Sequence, residues 1–103
     1  SAIAEALSLL PDKFSLRQNY PNPFNPSTTI EFTLPHPENV SLIIYNLMGQ
    51  EVKTLKRGMV DTGKHTIRWH GKDNFGRMVS SGVYFVRFRS DQFSASHKMV
   101  LMK

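Results

Sequence analysis

What most limits the fold of this chain is a period-two alternation of apolar and polar residues. It begins near Phe14 and runs to the last residues, with no helical spacing after Pro11. Alternation of this kind puts successive side chains on opposite faces of an extended backbone, so each stretch buries one face and wets the other. Within 28–34, Ile30, Phe32 and Leu34 share one side, and Thr29, Glu31 and Thr33 the other. Val40, Leu42 and Ile44 make a second row, whose outer face carries the apolar Ile43 and Tyr45. A short third run over 51–55 has Val52 and Leu55 as its only large apolar residues. His65, Ile67 and Trp69 alternate with Thr66 and Arg68, and runs over 83–89 and 93–102 complete the set.

Turn chemistry separates these runs. Asn46-Leu47-Met48-Gly49-Gln50-Glu51-Val52 echoes Asp73-Asn74-Phe75-Gly76-Arg77-Met78-Val79 at Asx, bulky apolar, Gly, long polar and Val. In each, the Asx side chain can bond the backbone two residues on, and the Gly tolerates positive φ, so the echo predicts two similar hairpins. Six or seven short strands with such turns predict an all-β fold, an immunoglobulin-like antiparallel β-sandwich of about seven short strands. A crossover α/β fold needs helices that this sequence lacks. With no cysteine in 103 residues, the inter-sheet disulfide of antibody domains is unavailable. Trp69, Tyr84, Phe85 and the aliphatic rows are therefore expected to supply the core unaided.

Residues 2–10 are rich in helix formers and space Ile3, Leu7 and Leu10 helically before Pro11 closes the stretch. A lone helix this short is marginal in water, so 1–13 read as a linker or the remnant of an upstream domain, and 14–103 as one domain. No apolar run approaches the roughly 20 residues of a membrane-spanning helix. The chain opens at Ser1 without a charged head, apolar core and cleavage site, so no signal peptide is read in it; a fragment from a longer exported protein would look the same. Thirteen Lys+Arg against 8 Asp+Glu give a net charge of +5. The cations are dispersed and alternate with apolar residues, as Arg87 and Arg89 do around Phe88, so no nucleic-acid partner is expected.

Constellations for chemistry are sparse. The four histidines, His36, His65, His70 and His97, form no closely spaced metal pair. No G-x-S-x-G element offers a nucleophile, and the few carboxylates read as surface charge. Calcium is the better-grounded metal, with Asp61, Asp73 and Asn74 as loop oxygens at one end of a sandwich, although their spacing fits no EF-hand. Asp73 is expected to act mainly as a turn-starting acceptor. No catalytic residue and no cofactor are assigned.

The most distinctive local feature is Asn19-Tyr20-Pro21-Asn22-Pro23-Phe24-Asn25-Pro26-Ser27. Its prolines fix φ and push the preceding residues toward extended geometry, and its asparagines can bond their own backbone. It is a stiff connection between the first two strands or, alternatively, a docking surface.

These residues, with Thr28-Thr29-Ile30, Ile44-Tyr45-Asn46 followed by Gly49-Gln50-Glu51-Val52, Trp69-His70-Gly71-Lys72-Asp73 followed by Gly76, Ser81-Gly82-Val83-Tyr84-Phe85, and Lys98-Met99-Val100-Leu101-Met102-Lys103, together resemble the C-terminal sorting domain of the type IX secretion system, type A. The resemblance runs from about Phe14 to the last residue. It extends to the immunoglobulin-like domain of flagellar hook-capping proteins, which shares the Ile-Tyr-Asn, Gly and Ser-Gly-Val-Tyr blocks.

The resemblance implies a non-catalytic address that targets an upstream cargo domain of the same chain across the outer membrane. Its partners would be the type IX translocon and surface sortase components. The route would lead from the periplasm to the cell surface or the exterior. It maps signal recognition onto Lys98, Met99, Val100, Leu101 and Lys103. Asn19, Pro21, Pro23, Phe24, Pro26, Gly49, Trp69, Asp73, Gly76, Gly82 and Tyr84 fall to the structural motif. The last strand is expected to be read at a sheet edge by strand addition, and an isolated domain to be open to weak pairing with a second copy through edge strands. The alternative is a passive accessory module of an extracellular multidomain hydrolase, binding polysaccharide or spacing domains.

Overall fold

Seven strands carry the fold of residues 12–103, the part of the chain described by the structure, a computed structural model. They are β1 (Ser15–Leu16), β2 (Thr28–Leu34), β3 (Glu38–Asn46), β4 (Glu51–Val60), β5 (Gly63–Trp69), β6 (Gly82–Arg89) and β7 (Ser94–Leu101). The helix-like stretch over 2–10 lies outside the described residues. One sheet has the order β1-β2-β5 and the other β4-β3-β6-β7, with every neighbouring pair antiparallel. This is the expected immunoglobulin-like sandwich of seven strands.

The core follows from the alternation. Ile30, Phe32 and Leu34 of β2 face Leu42 and Ile44 of β3, Val86 and Phe88 of β6, and Met99 and Leu101 of β7, all buried in one cluster with Trp69. Phe32 and Phe88 meet across the sheets with ring centroids 4.9 Å apart, and Tyr84 meets Trp69 edge-on at 5.3 Å. The polar atoms of these large rings are satisfied: Trp69 Nε1 donates to the Lys72 carbonyl at 2.9 Å and Tyr84 Oη to the Ser80 carbonyl at 2.7 Å. Buried rings with a polar handle need such partners. Among the described residues no buried side-chain nitrogen or oxygen lacks one.

Two expectations need correction. Phe85 is not part of the core: it lies opposite Lys98 and Tyr45 on the outer face and is half-buried there. Its alternation with the buried Tyr84 and Val86 leaves it no other side. The run over 51–55 extends through ten residues to Val60. Its second half, Lys56-Arg57-Gly58, has no apolar row; the ladder to β3 holds it, with register shifts at Leu42/Ile43 and Ile44/Tyr45.

The echoed turns match bond for bond. Asn46 Oδ1 accepts from the amides of Met48 and Gln50, both at 3.0 Å; Asp73 Oδ1 accepts from those of Phe75 at 2.9 Å and Arg77 at 3.0 Å. Gly49 and Gly76 each donate to the starting Asx carbonyl at 3.0 Å, with φ of +78° and +79°. Positive φ there is why both are glycine. The first turn joins β3 to β4. The second is closed by a lone bridge, Lys72 to Met78, inside the β5–β6 connection, so it is a hairpin turn without long strands.

Candidate recognition surface

β7 is the edge of the four-stranded sheet, and alternation divides the residues of the resemblance between two environments. Met99 and Leu101 point inward and are 0% exposed. Lys98 and Val100 point outward, opposite Phe85 and Val83 of β6. Met102 and Lys103 follow, both exposed, and the Lys103 amide donates to Ser81 Oγ at 3.0 Å. Of the five residues to which the resemblance maps recognition, only Lys98, Val100 and Lys103 therefore offer side chains to a partner of the folded domain. Met99 and Leu101 are core residues, a consequence of period two that a contiguous motif hides.

The free edge of β7 is also less free than strand addition requires. In an antiparallel edge strand every second residue turns its N–H and C=O outward, and here these are Ser94, Ser96, Lys98, Val100 and Met102. Residues 18–24 reach the last three. Phe24 donates its amide to the Val100 carbonyl at 2.9 Å and accepts from the Met102 amide at 3.0 Å. The Val100 amide donates to Asn22 Oδ1 at 2.9 Å, and Gln18 Nε2 donates to the Lys98 carbonyl at 2.8 Å. Further along, His97 Nε2 donates to the Leu16 carbonyl at 2.6 Å. Strand addition at the Lys98 carbonyl, both Val100 groups and the Met102 amide is thus already performed by the chain itself, while the Ser94 and Ser96 groups and the Lys98 amide stay open.

Residues 18–24 are held for this work by their own bonds. Asn19, almost fully buried, donates from Nδ2 to the Pro21 carbonyl at 3.1 Å and to Thr28 Oγ1 at 2.9 Å, and Thr28 Oγ1 donates to the same Pro21 carbonyl at 2.8 Å. Phe24 is 3% exposed and sits against Trp69 with centroids 5.6 Å apart, whereas Tyr20 stands in solvent. Pro21, Pro23 and Pro26 space these anchors. The segment is a stiff connection, as expected, and in addition a latch on β7. Sequence reasoning missed Gln18 and Asn22 as latch residues. Asn19 bonds its own backbone two residues on, as anticipated, but Asn22 reaches a strand 78 residues away.

The opposite edge of this sheet is treated similarly. Asn74 donates its amide to the Val52 carbonyl and accepts from the Thr54 amide through Oδ1, each at 3.0 Å, so the second Asx turn covers part of β4. Pairing of two copies over the covered stretches of these edges would have to displace one cover or the other.

The calcium candidates do not converge. Asp61 precedes β5 and Asp73 and Asn74 follow it, so a seven-residue strand, about 20 Å of extended chain, lies between them. The Asp73 and Asn74 side-chain oxygens already accept from Phe75, Arg77 and Thr54. The Arg77 backbone amide, ahead of the Phe75 amide and the Arg77 guanidinium, holds the Asp73 carboxyl below its ordinary value despite partial desolvation. Trp69 is 1% exposed, which denies it to a polysaccharide. Gly82 opens β6 opposite Leu101, and Tyr84 is buried beneath the β5–β6 connection that its hydroxyl ties at Ser80.

The outer face around Lys98 is ordered by register. Lys98, Phe85, Tyr45 and Glu51 make one cross-strand row; Ser96, Arg87, Ile43 and Thr54 the next; Ser94, Arg89, Ser41 and Arg57 a third. A shallow depression of about 620 Å³ lies over it, bordered by Tyr45, Leu47, Phe85, Arg87, Ser94 and Ser96.

Sheets of three and four antiparallel strands closed on one core, with an edge strand latched by a proline-rich loop, define an immunoglobulin-like β-sandwich domain. The FlgD Ig-like domain family matches residues 24–92, and the chain belongs to that family. Among solved structures it superposes on dimeric latent PorU from Porphyromonas gingivalis (TM-score 0.68, 22% identity), covering 89% of this chain and 9% of PorU. It also superposes on PorZ of the same organism, a surface component of the type-IX secretion system (TM-score 0.57, 19% identity, 89% of this chain and 12% of PorZ). FlgD from P. aeruginosa follows at a TM-score of 0.56 and 22% identity, over 72% of this chain and 58% of that one. The chain thus spans about a tenth of the length of PorU and PorZ. No curated protein matches it significantly in sequence. Among the described residues no helix is long and apolar enough to cross a membrane.

Proposed function

We propose that residues 14–103 are a non-catalytic C-terminal sorting domain of the type IX secretion system, which directs an upstream cargo domain across the outer membrane to the cell surface. The supporting observation is the placement of the last strand: β7 sits at a sheet edge with Lys98 and Val100 outward and Lys103 beside them. The fold is also shared with PorZ, a component of that system, and with PorU. In this reading the translocon and surface sortase meet a folded domain. Lys98, Val100 and Lys103 are the side chains read, while Met99 and Leu101 hold the strand in place from beneath. The route runs through the periplasm to the surface.

The test is surface delivery of a reporter fused ahead of the chain in a bacterium that has the system, read by protease accessibility on whole cells. Lys98→Ala with Lys103→Ala is expected to lower delivery while the domain stays folded, because both side chains are exposed. Unchanged delivery after removal of 14–103 altogether would overturn the reading.

A further inference from the structure

We propose that the outer face of the β4-β3-β6-β7 sheet docks an extended, acidic protein segment, gripped by Arg87, Arg89 and Lys98 around the Phe85–Tyr45 pair. This names the partner chemistry of the surface assigned above and rests on that reading for its setting. The two outer faces of the sandwich differ, among the described residues, in how many of their strand cations go unmet by a carboxylate, Arg68 on the three-stranded sheet against three on the four-stranded one. On the three-stranded sheet, Glu31 pairs with Arg17 at 3.6 Å and with Lys64 at 3.9 Å. On the four-stranded sheet the one carboxylate of the three rows, Glu51, pairs with Arg57 at 3.9 Å. Among the described residues Arg87, Arg89 and Lys98 have no carboxylate within bridging distance. Three unpaired cations stand in three neighbouring rows of two adjacent strands, and a patch of like charge on one sheet face is unfavourable until an opposite charge meets it.

Geometry narrows the partner further. Arg89, Arg87 and Phe85 follow one another at alternate positions of β6, all on the outer side, with about 6.5 Å between neighbours. An extended segment laid along β6 with the pattern acid, any, acid, any, apolar has the same spacing and places each side chain over its complement. The apolar position falls over Phe85 and Tyr45, where Leu47, 69% exposed, borders the depression and Ile43 floors the sheet. Single-stranded nucleic acid would need open ring faces as stacking platforms, and Phe85 and Tyr45 are both half-buried in the sheet.

The test is binding of a labelled peptide, Asp-Thr-Asp-Thr-Phe-Thr-Asp, to the whole 103-residue chain by fluorescence anisotropy. Its Asn-for-Asp counterpart and a short oligo-deoxythymidine serve as comparison probes. The acidic peptide is expected to bind and to weaken at least about tenfold between about 50 mM and about 300 mM salt. Arg87→Gln with Arg89→Gln is expected to weaken it at least about tenfold. Lys98→Gln, a milder change on the same face, should weaken it less, and Lys64→Gln with Arg68→Gln on the other sheet should leave it unchanged. Equal binding of the neutral peptide, tighter binding of the oligonucleotide, no binding of the acidic peptide at low salt, or indifference to the Arg87/Arg89 change overturns the proposal. Intact peptide binding with failed surface delivery overturns the sorting role alone. Intact delivery without peptide binding overturns this docking surface alone.

Discussion

Truncating Phe24 to alanine tests whether residues 18–24 latch β7. The ring is 3% exposed and packed on Trp69 at 5.6 Å. Removing such a buried ring costs about 3–5 kcal/mol, a large share of the about 5–15 kcal/mol that holds a domain of this size. The backbone of the same residue makes two bonds to β7, to the Val100 carbonyl and from the Met102 amide. These bonds survive the substitution chemically but lose their anchor. The latch is therefore expected to open ahead of the rest of the fold. Urea melts should show a midpoint lowered in proportion, with an unchanged slope. Amide exchange adds the discriminating measurement: Met102 should lose more protection than Val86 or Ile44, whose amides lie in the central strands and report the global equilibrium. Phe24→Leu, which keeps most of the buried volume, should restore most of both. A loss below about 1 kcal/mol, or Met102 protection falling only in step with Val86, would refute the latch.

Asp73→Asn keeps the side-chain oxygen that its twin Asn46 uses and removes the charge. The folded carboxyl titrates below its ordinary value, so its stabilisation is complete above the unfolded pKa near 3.9 and fades as pH falls through the lower folded value. The variant should be less stable than the parent at neutral pH and approach it in acid, and an equal gap at both pH values in denaturant melts argues against this. Gly49→Ala and Gly76→Ala should cost about 1–2 kcal/mol each. An added Cβ meets nothing within 4 Å at either position, so the costs should be nearly equal and additive; unequal losses in urea melts would show that the twin turns are not equivalent. His97→Phe removes the donor to the Leu16 carbonyl and leaves a partly buried acceptor unpaired, at about 1–3 kcal/mol. Exchange at the Arg17 amide, which bonds the Glu31 carbonyl beside β1, should quicken, and an unchanged rate there would count against His97 as the tie between β1 and β7.

How far the sequence carries depends on whether a residue's role is local. The alternating rows of β2, β3, β5 and β6 were legible because each strand has one face in the core and one in water. The twin turns were legible because an Asx side chain and a left-handed glycine act within five residues. Phe85 was misplaced for the opposite reason: aromatic character suggested burial, while its parity within Tyr84-Phe85-Val86 required the outer face. The last strand shows the same conflict. A contiguous block from Lys98 to Lys103 resembles one signal, yet alternation puts Met99 and Leu101 inside. The latch was illegible because Gln18 and Asn22 bond a strand about 80 residues away, and nothing near them in sequence marks that partner. The calcium candidates do not converge because β5 holds Asp61 before its first residue and Asp73 and Asn74 beyond its last.

These placements bear on what a partner of this domain can recognise. Met99 and Leu101 are fixed by the core, and the Lys98 carbonyl, both Val100 groups and the Met102 amide are taken by Gln18, Asn22 and Phe24. Peeling β7 off as a bare peptide would expose two fully buried side chains, at about 2–5 kcal/mol each by analogy with their truncation, and would break the latch bonds as well. That sum rivals the stability of the whole domain, so an extended-peptide reading of the strand amounts to unfolding. Reading the outer face costs nothing of this kind, because Lys98, Arg87 and Arg89 already stand in solvent. The strand is therefore most cheaply recognised in place, as one row of a sheet whose neighbours contribute as much to the surface as the strand does.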